Sequence, residues 1–245
     1  MISKNQIKLI TSLQLKKYRN AHQLFIAQGV KVIQELLQSN FELEHLYVTD
    51  TFFEQVNSTQ KTTLKEQDMN KISALNSPSS CLGIFKIPIA KKIETSGLIL
   101  ALDDIRDPGN LGTIIRLCDW FGVKQLLCSV ETVDVYSPKV IQATMGSISR
   151  VTINYLDLNT FISESSLPVF GTFMNGQNIY QAALPIEAIL ILGNEANGIS
   201  DGLKKIIKNK IAIPRFGDMQ QTESLNVATA AAIFLSEFRR SINEK

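Results

Sequence analysis

The residues best suited to chemistry lie in three polar segments, each following a run of apolar residues. The first is Asp103-Asp104-Ile105-Arg106-Asp107-Pro108-Gly109-Asn110-Leu111-Gly112-Thr113-Ile114-Ile115-Arg116. The second is Leu192-Gly193-Asn194-Glu195-Ala196-Asn197-Gly198-Ile199. The third runs from Ile213-Pro214-Arg215-Phe216 through a polar loop to Glu223-Ser224-Leu225-Asn226-Val227. Together they offer Arg, Glu, Asn and Ser, with glycine-bent backbone that exposes amides and carbonyls. Both histidines, His22 and His45, fall elsewhere, so these segments must work without the commonest general base. No GxGxxG fingerprint occurs, and GNEANG has Ile199 and Ser200 where a phosphate-cradling P-loop needs Lys and Ser/Thr. Such a set suits holding a reactive cofactor better than proton-heavy hydrolysis.

Taken singly, each of these residues has a plain structural role open to it. Gly109 and Gly112 can shape a strand-to-helix turn, Asn110 and Ser224 can cap helices, and Arg116 can be a surface residue. Gly193 and Gly198 can be loop punctuation. Their shared position is what points to a site, because ligands of open α/β sheets bind beyond the carboxyl ends of strands.

The elements that must position these segments alternate between strand and helix. Leu98–Asp104 is a continuous apolar run, as expected of a parallel strand buried on both faces. A helix is expected over Leu111–Gly122, strands over Gln125–Val130, Val151–Leu156, Val169–Met174, Ala188–Gly193 and Lys210–Pro214, and short helices over Pro138–Met145 and Leu203–Lys208. A long Ala-rich helix from Leu225 to Ile242 carries an apolar stripe of Val227, Ala230, Ala231, Phe234, Leu235 and Phe238. That stripe suits either the core of this chain or an interface. The N-terminal part reads as α/β as well. A helix is expected over Val30–Leu37, a strand over His45–Thr49, helices over Thr51–Val56 and Asp68–Leu75, and a strand over Ser79–Ile87. The alternation of strand and helix predicts a mostly parallel sheet covered by helices.

A boundary falls near Pro88–Thr95, and charge changes across it. Residues 1–92 hold 12 Lys and Arg against 7 Asp and Glu, a net +5, and residues 93–245 hold 13 against 16, a net −3. The overall +2 of the 245-residue chain averages a basic part and a slightly acidic one. That division fits a small domain that meets a polyanion, beside a domain with another task, although ordinary scatter of surface charge would give it too. The hydrophobic content of 44% supplies a real core, and no apolar run reaches the ~20 residues that span a bilayer. Cys81, Cys118 and Cys128 show no CxxC spacing, so neither a Cys/His zinc site nor a disulfide framework is expected. With no compact apolar leader at the N-terminus, a reducing, cytoplasmic setting is the expectation.

In order and spacing, NLGTIIR, ILGNEANGI and IPRFGDMQQTESLNVATAAAIF resemble the three motifs of the SpoU (TrmH-type) RNA 2′-O-ribose methyltransferases of the SPOUT class, over about residues 98–242. LKKYRNAHQLFIAQGVKVIQELL resembles the opening of that family's substrate-binding domain, with Gln28 where a Glu is usual. The resemblance implies a SPOUT-type parallel α/β sheet with a C-terminal deep trefoil knot over 93–245, preceded by a small α/β RNA-binding domain over 1–92. It implies S-adenosylmethionine as cofactor, held at Thr172, Gly193, Ile213 and Leu225. It places Arg116, Asn110, Glu195, Ser224 and Asn226 at the methyl acceptor, with Glu195 a candidate partner for Arg116. It implies rRNA or tRNA as substrate, contacted by Lys16, Lys17, Arg19 and Lys31. A homodimer through the knot region and last helix is also implied. A SPOUT-fold base methyltransferase and a non-catalytic RNA-binding protein are the alternatives.

Overall fold

The computed structural model describes residues 2–75, 77, 79–217 and 224–243, with side chains up to residue 240. In chain order the elements are α1 (Lys4–Ser12), α2 (Lys16–His22), β1 (Leu24–Gln28), α3 (Val30–Leu37), β2 (Leu43–Val48), β3 (Lys61–Thr63), α4 (Glu66–Ile72) and β4 (Cys81–Lys86). They continue with β5 (Leu98–Leu102), α5 (Pro108–Trp120), β6 (Gln125–Cys128), α6 (Pro138–Thr144), β7 (Thr152–Tyr155), α7 (Leu158–Glu164) and β8 (Val169–Asn178). The last are β9 (Ala188–Leu192), α8 (Asp201–Ile206), β10 (Asn209–Ala212) and α9 (Val227–Asn243).

The chain forms two compact units, one of residues 1–89 with 134–149, the other of residues 90–133 with 150–245. The first unit is built on a four-stranded sheet of order β1-β4-β2-β3. Here the expected parallel sheet is corrected. β4 runs antiparallel to both β1 and β2, and only β2 and β3 are parallel. Alternation of elements along the chain is compatible with either arrangement. The direction of β4 is set by its pairing with strands some 35–60 residues away, which local pattern does not encode. The helix expected over Thr51–Val56 is absent as well. Phe53 there is buried with φ +58°, and a left-handed residue cannot continue a right-handed helix.

Residues 134–149 complete this first unit. Tyr136 packs its ring 5.0 Å from that of Phe25 on β1, and Asp134 is ion-paired with Arg19 on α2. Gly146 has φ +97°, and a Cβ there would fall 2.5 Å from Cβ and Cγ of Glu35 on α3, so only glycine fits.

The second unit is a six-stranded sheet, parallel throughout, of order β10-β8-β9-β5-β6-β7. Every residue of the central strands β5 and β9 is buried, as their continuous apolar runs require. α9 packs on α5. Its residues Val227, Ala231, Phe234, Leu235 and Phe238 are buried and Ala230 is half-buried, so the apolar stripe is spent within this chain. Phe238 meets Phe170 of β8 edge to face, with ring centroids 5.6 Å apart. Arg239 donates to the carbonyls of Phe121 (2.6 Å) and Gly122 (2.9 Å), satisfying the open C-terminal end of α5. Cys81, Cys118 and Cys128 are all buried thiols, and burial pushes each of them up from the ordinary range, which makes them inert packing residues.

Candidate active site at the carboxyl ends of the central strands

From β5 the chain moves outward to β6 and β7, then crosses to β8 and returns to β9 beside β5. The loops after β5 and β9 therefore leave neighbouring strand ends in different directions, the arrangement that opens a crevice in α/β folds. The first two polar segments are those loops.

They are bolted to each other. Asn194, 8% exposed, donates through Nδ2 to the Asp104 carbonyl at 2.7 Å, and its Oδ1 accepts from the amides of Ala196 (2.9 Å) and Asn197 (3.1 Å). Its own backbone pairs with Gly198 in both directions, at 3.0 and 2.8 Å. Asp104 takes φ +58° to offer that carbonyl, and its carboxylate holds Arg106 at 2.9 Å. The buried Asp103 accepts from the Ser200 amide at 2.6 Å. A Cβ on Gly193 would lie 2.2 Å from Gly198 C and Ile199 N. The close approach that requires glycine at 193 is thus the loop folding back on itself. Asn194, Asp104 and Asp103 were not among the expected site residues. The available signal was an Asn directly after a strand-ending glycine, a setting in which its side chain bonds the backbone two residues on.

Three expected residues meet on this bolted frame. Asn110 Nδ2 donates to Glu195 Oε1 at 2.8 Å, and Asn226 Nδ2 donates to Asn110 Oδ1 at 2.9 Å. All three polar segments are joined through Asn110. Glu195 is thereby engaged by Asn110 and not by Arg116. Among the described residues Arg116 makes no hydrogen bond or ion pair; it stands exposed on α5, about 9 Å further along the helix axis than Asn110. Capping falls to other residues than those expected. Asp107 caps α5, accepting from the Asn110 amide at 2.7 Å, with Pro108 following at the first helical position. Asn226 caps α9, its Oδ1 accepting from Ala228 (3.0 Å) and Thr229 (3.2 Å). Ser224 is exposed and lies outside the network; residues 218–223 of the third segment lie outside the described residues.

The expected cofactor residues lie on the same edge of the sheet or on the segment that follows β10. Gly193 and Ile213 are the first residues beyond β9 and β10, so their amides and carbonyls are outside the strand ladders. Thr172 on β8 ties that strand to β9 by donating to the Ile191 carbonyl at 3.2 Å. Leu225 is 48% exposed, leaving unspent apolar surface next to Asn226. Free strand-end backbone with aliphatic walls is a donor set that suits an adenosine, which needs amide and carbonyl partners at its edge and apolar cover on its faces. No cluster of His, Cys, Asp and Glu among the described residues could hold a metal ion.

In the first unit, Lys16, Lys17 and Lys31 are exposed. Arg19 is a correction. It is 2% exposed, donates through Nη1 to the carbonyls of Leu13 (2.9 Å) and Gln14 (2.8 Å), and gives Nε and Nη2 to Asp134. With its fork fully engaged, it is a structural bracket and has no face left for a phosphate.

Comparison with known proteins adds independent findings. Residues 97–236, more than half of the chain, match the family model described as the SpoU rRNA Methylase family, and residues 4–83 match an MRM3-like substrate binding domain. The 23S rRNA (guanosine(2553)-2′-O)-methyltransferase RlmP of Bacillus subtilis (strain 168) is 28% identical over 97% of this chain and 97% of its own. A solved structure from Porphyromonas gingivalis, assigned to the TrmH family, superposes with a TM-score of 0.89 at 37% identity, covering 98% of this chain and 99% of that one. The AdoMet-bound rRNA methyltransferase of Sinorhizobium meliloti superposes at 0.88 with 28% identity, over 99% and 97%. Among the described residues no helix is long and apolar enough to cross a membrane.

Proposed function

The chain belongs to the SpoU rRNA Methylase family, and on that premise we propose that it transfers a methyl group from S-adenosylmethionine to a ribose 2′-hydroxyl of ribosomal RNA. The observation that carries this reading is the hydrogen-bonded chain Asn226–Asn110–Glu195, which joins the three family motifs at one sheet edge.

When bound, S-adenosylmethionine supplies a methyl group made electrophilic by its sulfonium. The backbone at Gly193, Ile213 and Leu225 would hold it, with Thr172 as a further wall. A neutral ribose hydroxyl is a poor nucleophile, so the protein must align it and help it lose its proton. A guanidinium keeps its proton at any working pH, so Arg116 does not act as base. In this reading it clamps the phosphate next to the acceptor ribose and stabilises the oxyanion that develops, and that phosphate takes the proton. Asn110, held by Glu195 and Asn226, fixes the start of α5 and so sets where Arg116 projects. Ser224 and Asn226 border the acceptor ribose.

The reading divides labour along the chain. Residues 1–92 recruit RNA, with Lys16, Lys17 and Lys31 on phosphates and residues 134–149 bracing the same unit, and the rest of 93–245 carries out methyl transfer. It extends to a deep trefoil knot in the C-terminal segment and to a cytoplasmic setting. It also includes a homodimer. Because the α9 stripe is buried within the chain, apolar surface for that dimer has to come from elsewhere, and Trp120 at the end of α5 is 84% exposed. Sedimentation of the pure protein should give about twice the 27.3 kDa chain mass; a single-chain mass at micromolar concentration would exclude the dimer.

The function is tested by incubating the protein with radiolabelled S-adenosylmethionine and large-subunit ribosomal RNA transcribed in vitro, then digesting the RNA to nucleosides. Label in a 2′-O-methylated nucleoside is the expected result, and guanosine is the first to inspect because the Bacillus subtilis relative is named for it. Label on a base would move the chain to the base-methylating alternative. No label in any RNA, with cofactor bound, would make it a non-catalytic RNA-binding protein.

A further inference from the structure

The turn between α1 and α2 is an elbow fixed from within and left bare outside. On its inner side Arg19 ties the Leu13 and Gln14 carbonyls to Asp134, so the backbone of the elbow is held in one geometry. On its outer side Leu15 is 54% exposed, Lys16 and Lys17 are exposed, and Tyr18 is 37% exposed. Lys17 Nζ lies 4.7 Å from the centre of the Tyr18 ring. Neither lysine has an ion-pair partner among the described residues. The surrounding sequence offers none nearby in the chain either. The first 34 residues contain Lys4, Lys8, Lys16, Lys17, Arg19 and Lys31 and no Asp or Glu, the first acidic residue being Glu35.

An aromatic ring and a leucine beside unpaired ammonium groups, on a rigid support in an anion-free stretch, form the combination by which proteins bind unpaired nucleotides. The ring takes a base on its face and the cations take the flanking phosphates. We infer that the Leu15–Tyr18 elbow is a stacking platform for a single-stranded stretch of the substrate RNA, with Tyr18 under a base and Lys16 and Lys17 on adjacent phosphates. This rests on the RNA-methylating reading and adds to it a contact that is not purely electrostatic. A base arriving at Tyr18 takes the ring face opposite Lys17, or displaces its ammonium onto a phosphate. Arg19 serves this surface as a positioning residue only.

The test measures binding of the full-length protein to in vitro transcribed large-subunit ribosomal RNA at several salt concentrations, beside a fully paired RNA duplex as second probe. Tyr18→Ala should weaken binding to the transcript about 5- to 100-fold and leave the slope of affinity against salt unchanged. Tyr18→Phe and Tyr18→Trp should bind as the wild type does. The pair Lys16→Ala, Lys17→Ala should reduce that slope by about 1.4, the two single-strand phosphate contacts it removes. The duplex should not respond to Tyr18→Ala. Cofactor affinity and melting midpoint should be the same in all variants. Wild-type affinity in Tyr18→Ala, or an equal loss in Tyr18→Phe, overturns the platform while leaving the methyltransferase reading intact. Failure of the wild-type protein to bind or methylate RNA removes that reading and the platform with it.

Discussion

Replacing Arg116 with alanine is expected to leave S-adenosylmethionine affinity unchanged and to slow methyl transfer to RNA by about two to three orders of magnitude. The magnitude is that of removing one charged donor aimed at a developing oxyanion. The cofactor half of the prediction follows from position. Arg116 is exposed on α5 and, among the described residues, makes no hydrogen bond to Thr172, Gly193, Ile213 or Leu225. Folding should be unaffected as well, since a solvated side chain without partners can be removed with little change in stability. Arg116→Lys should recover only a small part of the rate, because a single ammonium cannot replace a planar fork that grips phosphate through two hydrogen bonds. Equilibrium dialysis with the cofactor and single-turnover methylation of transcribed ribosomal RNA read the two halves separately. A near wild-type rate in Arg116→Ala would remove Arg116 from the mechanism. Loss of cofactor binding would move it into the cofactor site.

The second large effect concerns Arg19. Arg19→Ala should destabilise the protein by about 3–5 kcal/mol, the usual cost of removing one partner from a buried ion pair. The side chains involved are 3% and 13% exposed, so water offers little relief to the carboxylate left behind. The carbonyls of Leu13 and Gln14 lose their donor at the same time. For a chain of this size the melting midpoint should fall by about 10 °C. Asp134→Ala should cost a comparable amount, and the double variant less than the sum of the two, since it leaves no buried charge unpaired. Calorimetric scans of the three variants check this. A midpoint within a degree of wild type in Arg19→Ala would show the pair to be without net value.

The contrast between these two arginines shows what the sequence could and could not tell. Both sit in motif-bearing stretches, and both read as contacts for RNA. Arg116 stays exposed, but Arg19 is consumed by a residue 115 positions later in the chain, and no local pattern announces such a partner. The same limit explains β4, whose apolar run is plain in the sequence but whose direction depends on distant strands. The second unit was far more legible. Buried parallel strands such as β5 and β9 write themselves as unbroken apolar runs, and the polar loops at their ends stand out by contrast. The joining of Asn110, Glu195 and Asn226 could be expected as a convergence of loops. Which atom bonds which could not, and Glu195 takes Asn110 where Arg116 was expected. The missed cap at Asp107 was readable, since Asp followed by Pro is a common opening of a helix.

The segment 134–149 leaves the large sheet after β6, folds with the first unit, and returns to form β7. The polypeptide therefore passes between the two units three times, at residues 89–90, 133–134 and 149–150. Recombination that exchanged the N-terminal part at a single cut near residue 92 would part Arg19 from Asp134 and Phe25 from Tyr136. A donor module would then meet a borrowed helix cut to another protein's surface. The first unit and the connection between β6 and β7 share one packed surface, so a substitution in either is felt by the other, and exchanging one end of the chain for another protein's would leave that surface mismatched.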